Sequence, residues 1–263
     1  MIGAIIGDVV GSVYEFDNHR SKEFELLTER NHFTDDTVLT VALMDWALNT
    51  EVRDSYSVVE YLQKWGRKYP NCGFGGYFCH KWLWSDNPKP YNSKGNGCGM
   101  RVSPVAYVAQ SPEELLFLSN IVTSVTHNHD EGIRGALCIA YATWMALHGS
   151  TKQDIRMMTQ DIYPEMATFN YEDLKKNYRF NELAKTSCPQ AVYCFLISES
   201  FEDCLRTTVS IGGDTDTLCA MSCAIAEAYY RDIPESLIKG VMDKLPREMR
   251  EVVYEFKRVF GGL

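Results

Sequence analysis

Hydrophobic residues recur at helical spacing along most of the chain. Residues 37–49 are apolar almost all round, with only Thr40 and Asp45 interrupting the run before Asn49, which predicts a helix that is buried on every side. Similar patterns predict further helices over residues 132–147, 188–199, 202–209, 216–230, from Pro234 onward, and 247–260.

One more helix is indicated by its first residues. Ser111 is a good N-cap, Pro112 suits the first helical position, and Glu114 is placed to complete a capping box. Strand signals are few, because no alternating run of β-branched residues is bounded by hairpin turns. We therefore predict one all-α domain over residues 1–263.

Two long stretches, residues 17–36 and 84–104, carry no helical pattern. The second stretch is rich in glycine, proline and asparagine. Loops of this length inside a compact domain are usually functional. We expect both stretches to lie near the site of chemistry.

Composition and charge narrow the function classes. The chain has 263 residues, 45% of them hydrophobic, and a net charge of −9. Such a chain can bury a large core, whereas its negative charge does not favour a groove for nucleic acid. No run reaches the roughly 18 apolar residues that a membrane span needs, so we expect no membrane partner.

The cysteines and the start of the chain favour a cytoplasmic protein. There are nine cysteines, an odd number, and most lie in apolar runs without a CxxC pair. This usage is typical of reduced, buried thiols. The first residues, MIGAIIGDVVG, have no basic segment and reach an acid at Asp8, so we expect no signal peptide.

Two acidic motifs stand where buried helices begin. The first, FTDDT at residues 33–37, contains Thr34, Asp35 and Asp36. The second, GGDTDT at residues 212–217, supplies the matching set Asp214, Asp216 and Thr217. One acid per helix would suffice for capping, and a second adjacent acid adds repulsion where water is excluded.

Such acids need a positive partner. Only Arg30 and Arg206 lie within two helical turns of either motif. Carboxylate and hydroxyl oxygens form the donor set of a hard cation such as Mg²⁺, Mn²⁺ or Ca²⁺. The residues alone leave two interpretations open: a pair of metal ions, or capping and salt bridges.

A third acidic segment opens the chain. Gly3, Gly7 and Gly11 are four residues apart and would line one helix face, so that another helix can approach closely. Asp8 and Glu15 are seven residues apart and fall near a common face. We expect Asp8 to be a structural acid that accepts hydrogen bonds.

Taken together, these motifs resemble the ADP-ribosylglycohydrolase family. The matching stretches occur in the family's order: GAIIGDVVGSVYE (3–15), FTDDT (33–37), GNGCGMRVSPVA (95–106), THNHDEGIRGA (126–136) and GGDTDT (212–217). A single fragment would be weak, but five in order make a chance similarity implausible.

The resemblance implies an all-α orthogonal helical bundle with a dinuclear Mg²⁺ centre, for which Mn²⁺ is an alternative. It implies that Thr34, Asp35 and Asp36 bind metal from one side of the centre. Asp214, Asp216 and Thr217 would then bind from the other side. Glu15 matches an acid that takes part in ligation or catalysis beside the metals.

The resemblance also implies a substrate-binding loop and a histidine contact. The loop would wrap a diphosphate and comprises Gly95, Asn96, Gly97, Cys98, Gly99, Met100 and Arg101. His127 matches a histidine that contacts the substrate. The glycines suit this role because backbone N–H groups approach phosphate only where side chains are absent. They would also suit plain turns, and Arg101 would equally suit an acid in the core.

The function implied is magnesium-dependent hydrolysis at the anomeric carbon of ADP-ribose, with Glu15, Asp35 and Asp36 as catalytic residues. Positive charge develops at that carbon, and nearby carboxylates stabilise it. The substrate would be an ADP-ribosylated protein or a small ADP-ribose compound, and we expect a monomer. Two alternatives are a non-catalytic, crystallin-like ADP-ribose-binding protein and a magnesium phosphodiesterase.

Overall fold

The computed structural model describes residues 2–261, which form a helical bundle. Within this range no β-strand forms, and one isolated antiparallel bridge joins Gly95 to Leu183. The all-α prediction is confirmed. The α-helices are α1 Gly3–Gly11, α2 Asp35–Asn49, α3 Ser55–Lys68, α4 Gly97–Arg101, α5 Pro104–Val108, α6 Pro112–Ser124, α7 Asp130–Leu147, α8 Lys152–Ile162, α9 Tyr171–Asn177, α10 Cys188–Ile197, α11 Phe201–Ile211, α12 Thr215–Tyr230, α13 Glu235–Met242 and α14 Arg247–Phe260.

Three short helical turns complete the described chain. A π-helical turn spans Phe78–Trp82, and two 3₁₀ turns span Pro164–Thr168 and Ala184–Thr186. The Phe78–Trp82 turn carries two stacked rings, whose centroids are 4.9 Å apart. Both rings are buried, so the turn is anchored in the core.

Helices α1 and α12 pack closely because the facing side of α1 is glycine. A Cβ atom added to Gly7 would lie 2.1 Å from the carbonyl oxygen of Cys219. One added to Gly11 would lie 2.6 Å from the Cα atom of Asp216. No side chain fits at such distances, so the small face predicted for this segment is confirmed. The contact brings the end of α1 to the start of α12.

Helix α2 is buried on all sides, as its apolar sequence predicted. Its residues from Asp36 to Ala47 are all buried, and it packs against α1, α3 and α14. The one buried acid on its far half, Asp45, accepts hydrogen bonds from Trp65 Nε1 at 2.8 Å and Lys64 Nζ at 2.7 Å. A buried carboxylate is tolerated here because both bonds satisfy it.

The helix limits differ from the sequence predictions in several places. Helices α3, α5, α8 and α9 were not predicted, and residues 84–104 are not wholly irregular because α4 lies inside them. Ser111 caps α6 as predicted, accepting from the amide of Glu114 at 3.2 Å. The capping box is wrong, since Glu114 accepts from the amide of Gln110 at 2.8 Å instead.

All nine cysteines are free thiols, and seven of them are buried. Their sulfur atoms fill space between helices in the same way as small apolar groups. Across residues 2–261, none of the helices combines the length and the apolar character needed to cross a membrane.

Candidate active site and metal centre

A single cleft gathers most of the residues that the motifs singled out. These residues come from five distant parts of the chain, and the packing of α1, α2 and α12 brings the three acidic parts together. The predicted site residues that line the cleft are Glu15, Asp35, Asp36, Gly95, Asn96, Gly97, Met100, Arg101, His127, Asp214, Asp216 and Thr217.

Thr34, Cys98 and Gly99 lie outside that lining. Thr34 is buried and caps α2. The thiol of Cys98 is fully buried and lies 3.2 Å from the carbonyl oxygen of Gly95. Gly99 faces the core, where an added Cβ would lie 2.7 Å from Met221 Sδ. The structure thus places Cys98 and Gly99 in helix packing, although the resemblance implied a substrate loop.

Asp8 fixes the start of α2, although it is not in the cleft. The side chain is fully buried and accepts from the amides of Thr34 and Thr37, both at 3.0 Å, and from the Thr34 hydroxyl at 2.8 Å. This is the hydrogen-bonding role expected for it. Because Asp8 belongs to α1, these bonds set the position of Asp35 and Asp36 relative to α1 and to the adjoining α12.

Asp36 joins the two acidic motifs. Its Oδ2 accepts from the hydroxyl of Thr217 at 3.1 Å and lies 3.4 Å from the hydroxyl of Thr34. Its Oδ1 is buried and has no hydrogen-bond partner among the described residues. A buried carboxylate oxygen without a donor is costly, so this atom is a candidate ligand for a cation.

The turn that delivers Asp214 depends on two glycines. Gly212 and Gly213 have φ values of 66° and 85°, a region that strongly favours glycine. A Cβ on Gly213 would also lie 2.4 Å from the ring of Tyr178. The chain then enters α12 with Asp214 as N-cap, and its side chain makes no capping bond to the helix.

The carboxylate of Asp214 instead belongs to the acidic cluster that lines the cleft. Ligand oxygens of Glu15, Asp214 and Asp216 all lie within 4.8 Å of one another. Asn96 Nδ2 donates to Asp214 Oδ2 at 2.6 Å, and the amide of Thr217 donates to Asp216 Oδ1 at 2.8 Å. Asn96, predicted as part of a phosphate-binding loop, therefore orients an acid with its side chain.

The acids of the cleft have strongly perturbed proton affinities. Burial, followed by the charges of neighbouring carboxylates, raises the pKa of Asp35, Asp36 and Asp216 well above its usual range. Burial is also the main reason that the pKa of Asp214 rises to about 7 and that of Glu15 to about 8. Each of these shifts reflects negative charge that lacks a positive neighbour.

Within residues 2–261, no lysine or arginine forms an ion pair with these acids. Arg206 pairs with Glu202 at 2.8 Å, and Arg30 is exposed. The oxygen-only donor set, the unpartnered Asp36 Oδ1 and the lack of a basic partner fit a hard divalent cation. The cluster is therefore a possible metal-binding site.

Arg101 brings a positive charge to the lining of the cleft. It is 1% exposed, and its Nε has no hydrogen-bond partner among the described residues. A buried guanidinium without an acidic partner is unfavourable. No described carboxylate forms an ion pair with it, although the charge of Asp35 acts on its pKa, so the guanidinium is a candidate group for binding an anion.

Gly95 and Gly97 leave the space in front of the His127 ring open. A Cβ on Gly97 would lie 3.5 Å from Cε1 of the His127 ring. The added atoms would not clash with the protein but would fill that space. The amides of Gly95 and Asn96 already donate to Ser93 Oγ and to the carbonyl oxygen of Glu182, so the group that can approach a ligand here is the ring.

Some cleft residues were not singled out in the sequence. Tyr91, Ser93 and Glu182 line the cleft, and Glu182 also accepts from the amide of Asn96 at 2.7 Å through its carbonyl oxygen. They come from loops with no motif of their own. Phe78 also lines the cleft.

Known proteins resemble this chain over most of its length. A family model described as ADP-ribosylglycohydrolase matches residues 1–261. ADP-ribosylhydrolase ARH3 of Mus musculus is 26% identical, with the alignment covering 90% of this chain and 84% of that protein. ADP-ribosyl-[dinitrogen reductase] glycohydrolase of Rhodospirillum rubrum is 24% identical, covering 96% and 92%.

Two further matches extend the comparison. ADP-ribosylarginine hydrolase Tri1 of Pseudomonas putida (strain GB-1) is 24% identical, covering 88% of this chain and 69% of that protein. A solved structure titled ADP-ribosylglycohydrolase-related protein complex superposes with a TM-score of 0.72 at 21% identity, covering 98% and 95% of the two chains. At that identity the superposition shows a shared fold.

The chain belongs to the ADP-ribosylglycohydrolase family. Family membership indicates an ADP-ribosylhydrolase, and the helical fold is the one expected from the sequence resemblance.

Proposed function

We propose that the protein hydrolyses the bond between the anomeric carbon of an ADP-ribosyl group and its acceptor, with divalent cations held by the acidic cluster. The observation that carries this proposal is the combination of groups in one cleft. Six carboxylates line it together with the buried Arg101 and His127 and the glycines Gly95 and Gly97. A ligand that carries both ribose hydroxyl groups and a diphosphate matches that combination.

The acidic cluster would hold the cations through Asp35, Asp36, Asp214, Asp216 and Thr217, with Thr34 beside Asp36 and with Glu15 within 4.8 Å of Asp214 and Asp216. Mg²⁺ is the cation that best suits this donor set, and two such sites follow from two acidic motifs. When bound, the cations would offset the charge of the acids and hold ribose hydroxyl groups in place. Asn96 would keep the Asp214 carboxylate in its ligating orientation through their 2.6 Å hydrogen bond.

The carboxylates would also stabilise the reaction itself. The ribose carbon gains positive charge as the bond to the acceptor breaks, and negative charge on the protein favours that state. A base is required to remove a proton from the attacking water. Glu15, Asp35 and Asp36 are the candidates, since all three line the cleft.

The anionic part of the substrate would be held by Arg101 and His127. Both residues line the cleft, and Gly95 and Gly97 leave open space in front of the His127 ring. Fixing the diphosphate there would orient the ribose toward the acids. The acceptor would leave through the open mouth of the cleft, where Glu15 is only half-buried.

The direct test is an assay of product release on a panel of substrates. Proteins carrying ADP-ribose on serine or arginine, and a small ADP-ribose ester, would be incubated with the protein and Mg²⁺. Chromatography should detect free ADP-ribose. Release of AMP would indicate a phosphodiesterase, and tight binding without any release would indicate a non-catalytic ADP-ribose-binding protein.

A comparison of Glu15→Gln, Asp35→Asn and Asp36→Asn distinguishes base from ligand. A variant that has lost the base should still bind Mg²⁺ and ADP-ribose but turn over about 10²- to 10⁴-fold more slowly. A variant that has lost a ligand should bind Mg²⁺ more weakly. Isothermal titration gives the binding constants, and single-turnover kinetics give the rates.

A further inference from the structure

Three buried side chains, two of which line the cleft, form a hydrogen-bonded row. Arg101 Nη2 donates to Thr126 Oγ1 at 2.6 Å, and Thr126 Oγ1 lies 2.7 Å from His127 Nδ1. Exposed fractions are 1% for Arg101, 0% for Thr126 and 4% for His127. Water therefore does not compete for these bonds from the core side.

The proton positions in this row follow from the donors available. A guanidinium can only donate, so the Thr126 oxygen is an acceptor toward Arg101. The hydroxyl has one proton, for which His127 Nδ1 at 2.7 Å and the carbonyl of Thr123 at 3.4 Å compete. The Thr123 carbonyl already accepts from the amides of Thr126 and His127. The Thr126 hydroxyl therefore donates to the nearer acceptor, His127 Nδ1. Because Nδ1 accepts this bond, the ring proton is on Nε2.

The positive charge of Arg101 also favours a neutral His127 ring with an unprotonated Nδ1. An imidazolium would have to donate from Nδ1 to an oxygen that already accepts from a guanidinium, which places two cations around one hydroxyl. Burial, followed by the charge of Arg101, holds the pKa of His127 well below its usual range. The ring is therefore neutral and has one proton to present.

The proton on His127 Nε2 is directed at Gly95 and Gly97. A Cβ built on Gly95 or on Gly97 would lie 3.6 Å from His127 Nε2, so the open space over these two glycines is where Nε2 faces. No described residue accepts a hydrogen bond from Nε2. The ring thus offers a free donor to an oxygen atom of a bound ligand.

We propose that Arg101 and Thr126 are positioning residues that hold His127 as its neutral Nε2–H tautomer, so that the ring donates to an oxygen of the bound ADP-ribosyl group. This proposal rests on the proposed function for the identity of the ligand. The assignment of the tautomer rests on the Arg101–Thr126–His127 geometry alone.

The experiment is nitrogen NMR of the imidazole rings together with titration by ADP-ribose. Protein labelled with ¹⁵N-histidine would be recorded at pH 7, and His127→Gln would identify the His127 signals. The wild type should show a protonated Nε2 and an unprotonated Nδ1. Thr126→Ser retains the hydroxyl and should retain this pattern, whereas Thr126→Val should give a mixture of tautomers.

Binding of ADP-ribose in the presence of Mg²⁺ supplies the second readout. Thr126→Val should bind about tenfold more weakly, as expected when one hydrogen bond to a charged group is lost, and Thr126→Ser should bind like the wild type. A Nδ1–H tautomer or an imidazolium in the wild type would overturn the proposal, and that spectrum is decisive even if Thr126→Val does not fold.

Equal affinity and an equal tautomer pattern in Thr126→Val and the wild type would also overturn the proposal. Failure of the wild type to bind ADP-ribose at all would have a different meaning. It would contradict the proposed function and with it the identity of the ligand, while the NMR spectrum would still decide the tautomer.

Discussion

The hydroxyl of Thr217 donates a hydrogen bond to Asp36 Oδ2 at 3.1 Å across 181 residues of sequence. This bond joins the N-terminus of α12 to that of α2. It places the two acidic motifs in one cluster, since Asp214 and Asp216 directly precede Thr217 at the start of α12. The metal centre that we propose requires this proximity, and neither motif alone would provide it.

Asp214→Asn should abolish ADP-ribose release while leaving the fold intact. The side chain keeps its size and can still accept from Asn96, but the negative charge is lost. Mutation of a residue that only hydrogen-bonds to a metal ligand typically lowers metal affinity by about 10- to 100-fold. The loss of Mg²⁺ affinity in Asp214→Asn should be larger than that. Circular dichroism, Mg²⁺ titration and a release assay measure these effects.

Asp243→Asn is the matched control for this variant, because Asp243 is exposed and lies far along the chain from the cluster. It should behave like the wild type. A folded Asp214→Asn protein with undiminished turnover would rule out the ligand role of Asp214.

Asn96→Ala should weaken Mg²⁺ binding by about 10- to 100-fold, as expected when an orienting partner of a ligand is removed. The reason is that Asp214 Oδ2 loses its 2.6 Å donor. Asn87→Ala is the control, since Asn87 is exposed. If Asn96→Ala bound Mg²⁺ as tightly as the wild type, the orienting role of Asn96 would be wrong.

Divalent cations should raise the thermal stability of the protein. Without them, five carboxylates, of which Asp36, Asp214 and Asp216 are buried, share a site without a basic partner. At a concentration 100 times the dissociation constant, binding adds about 2.7 kcal/mol, or a rise of about 5 °C or more in a domain of this size. Differential scanning fluorimetry with EDTA and with Mg²⁺ measures the shift.

Asp214→Asn supplies the control for that experiment, because its response to Mg²⁺ should be much smaller. A melting temperature that is the same with EDTA and with Mg²⁺ would argue that the cluster binds no cation.

Gly7→Ala should destabilise the fold, by about 1–3 kcal/mol or more. The added methyl group would lie 2.1 Å from the backbone of Cys219, so α1 and α12 would have to move apart. Gly75→Ala is the control, as an added Cβ there meets nothing within 4 Å. Urea unfolding gives the two free energies, and equal values would contradict the close packing of α1 on α12.

The sequence predicted the parts of the fold that are apolar at helical spacing. Helix α2 is buried throughout, and α14 has the predicted limits. Helix α8 escaped prediction because only Ile155 and Thr159 are buried in it. Helix α3 had a usable signal: the capping box of Asp54 and Ser57 precedes a stripe of buried residues.

In the functional site, too, some features could be predicted from the sequence and others could not. The acidic motifs were visible because two adjacent carboxylates at a helix start need an explanation. The different placements of Gly97 and Gly99 were not visible, since both belong to the same short motif. Only the tertiary partner separates them: Gly99 faces Met221, whereas Gly97 faces His127 across open space. The orienting contact of Asn96 with Asp214 likewise depends on two segments that meet only in the fold.

The central claim is that the two acidic motifs together hold divalent cations. Crystals soaked in Mn²⁺ and measured at the manganese absorption edge test it most directly, because anomalous peaks locate each ion. We predict two peaks among Asp36, Asp214 and Asp216, and none there in crystals of Asp214→Asn. A map of the wild type with no anomalous peak within bonding distance of these carboxylates would contradict the account.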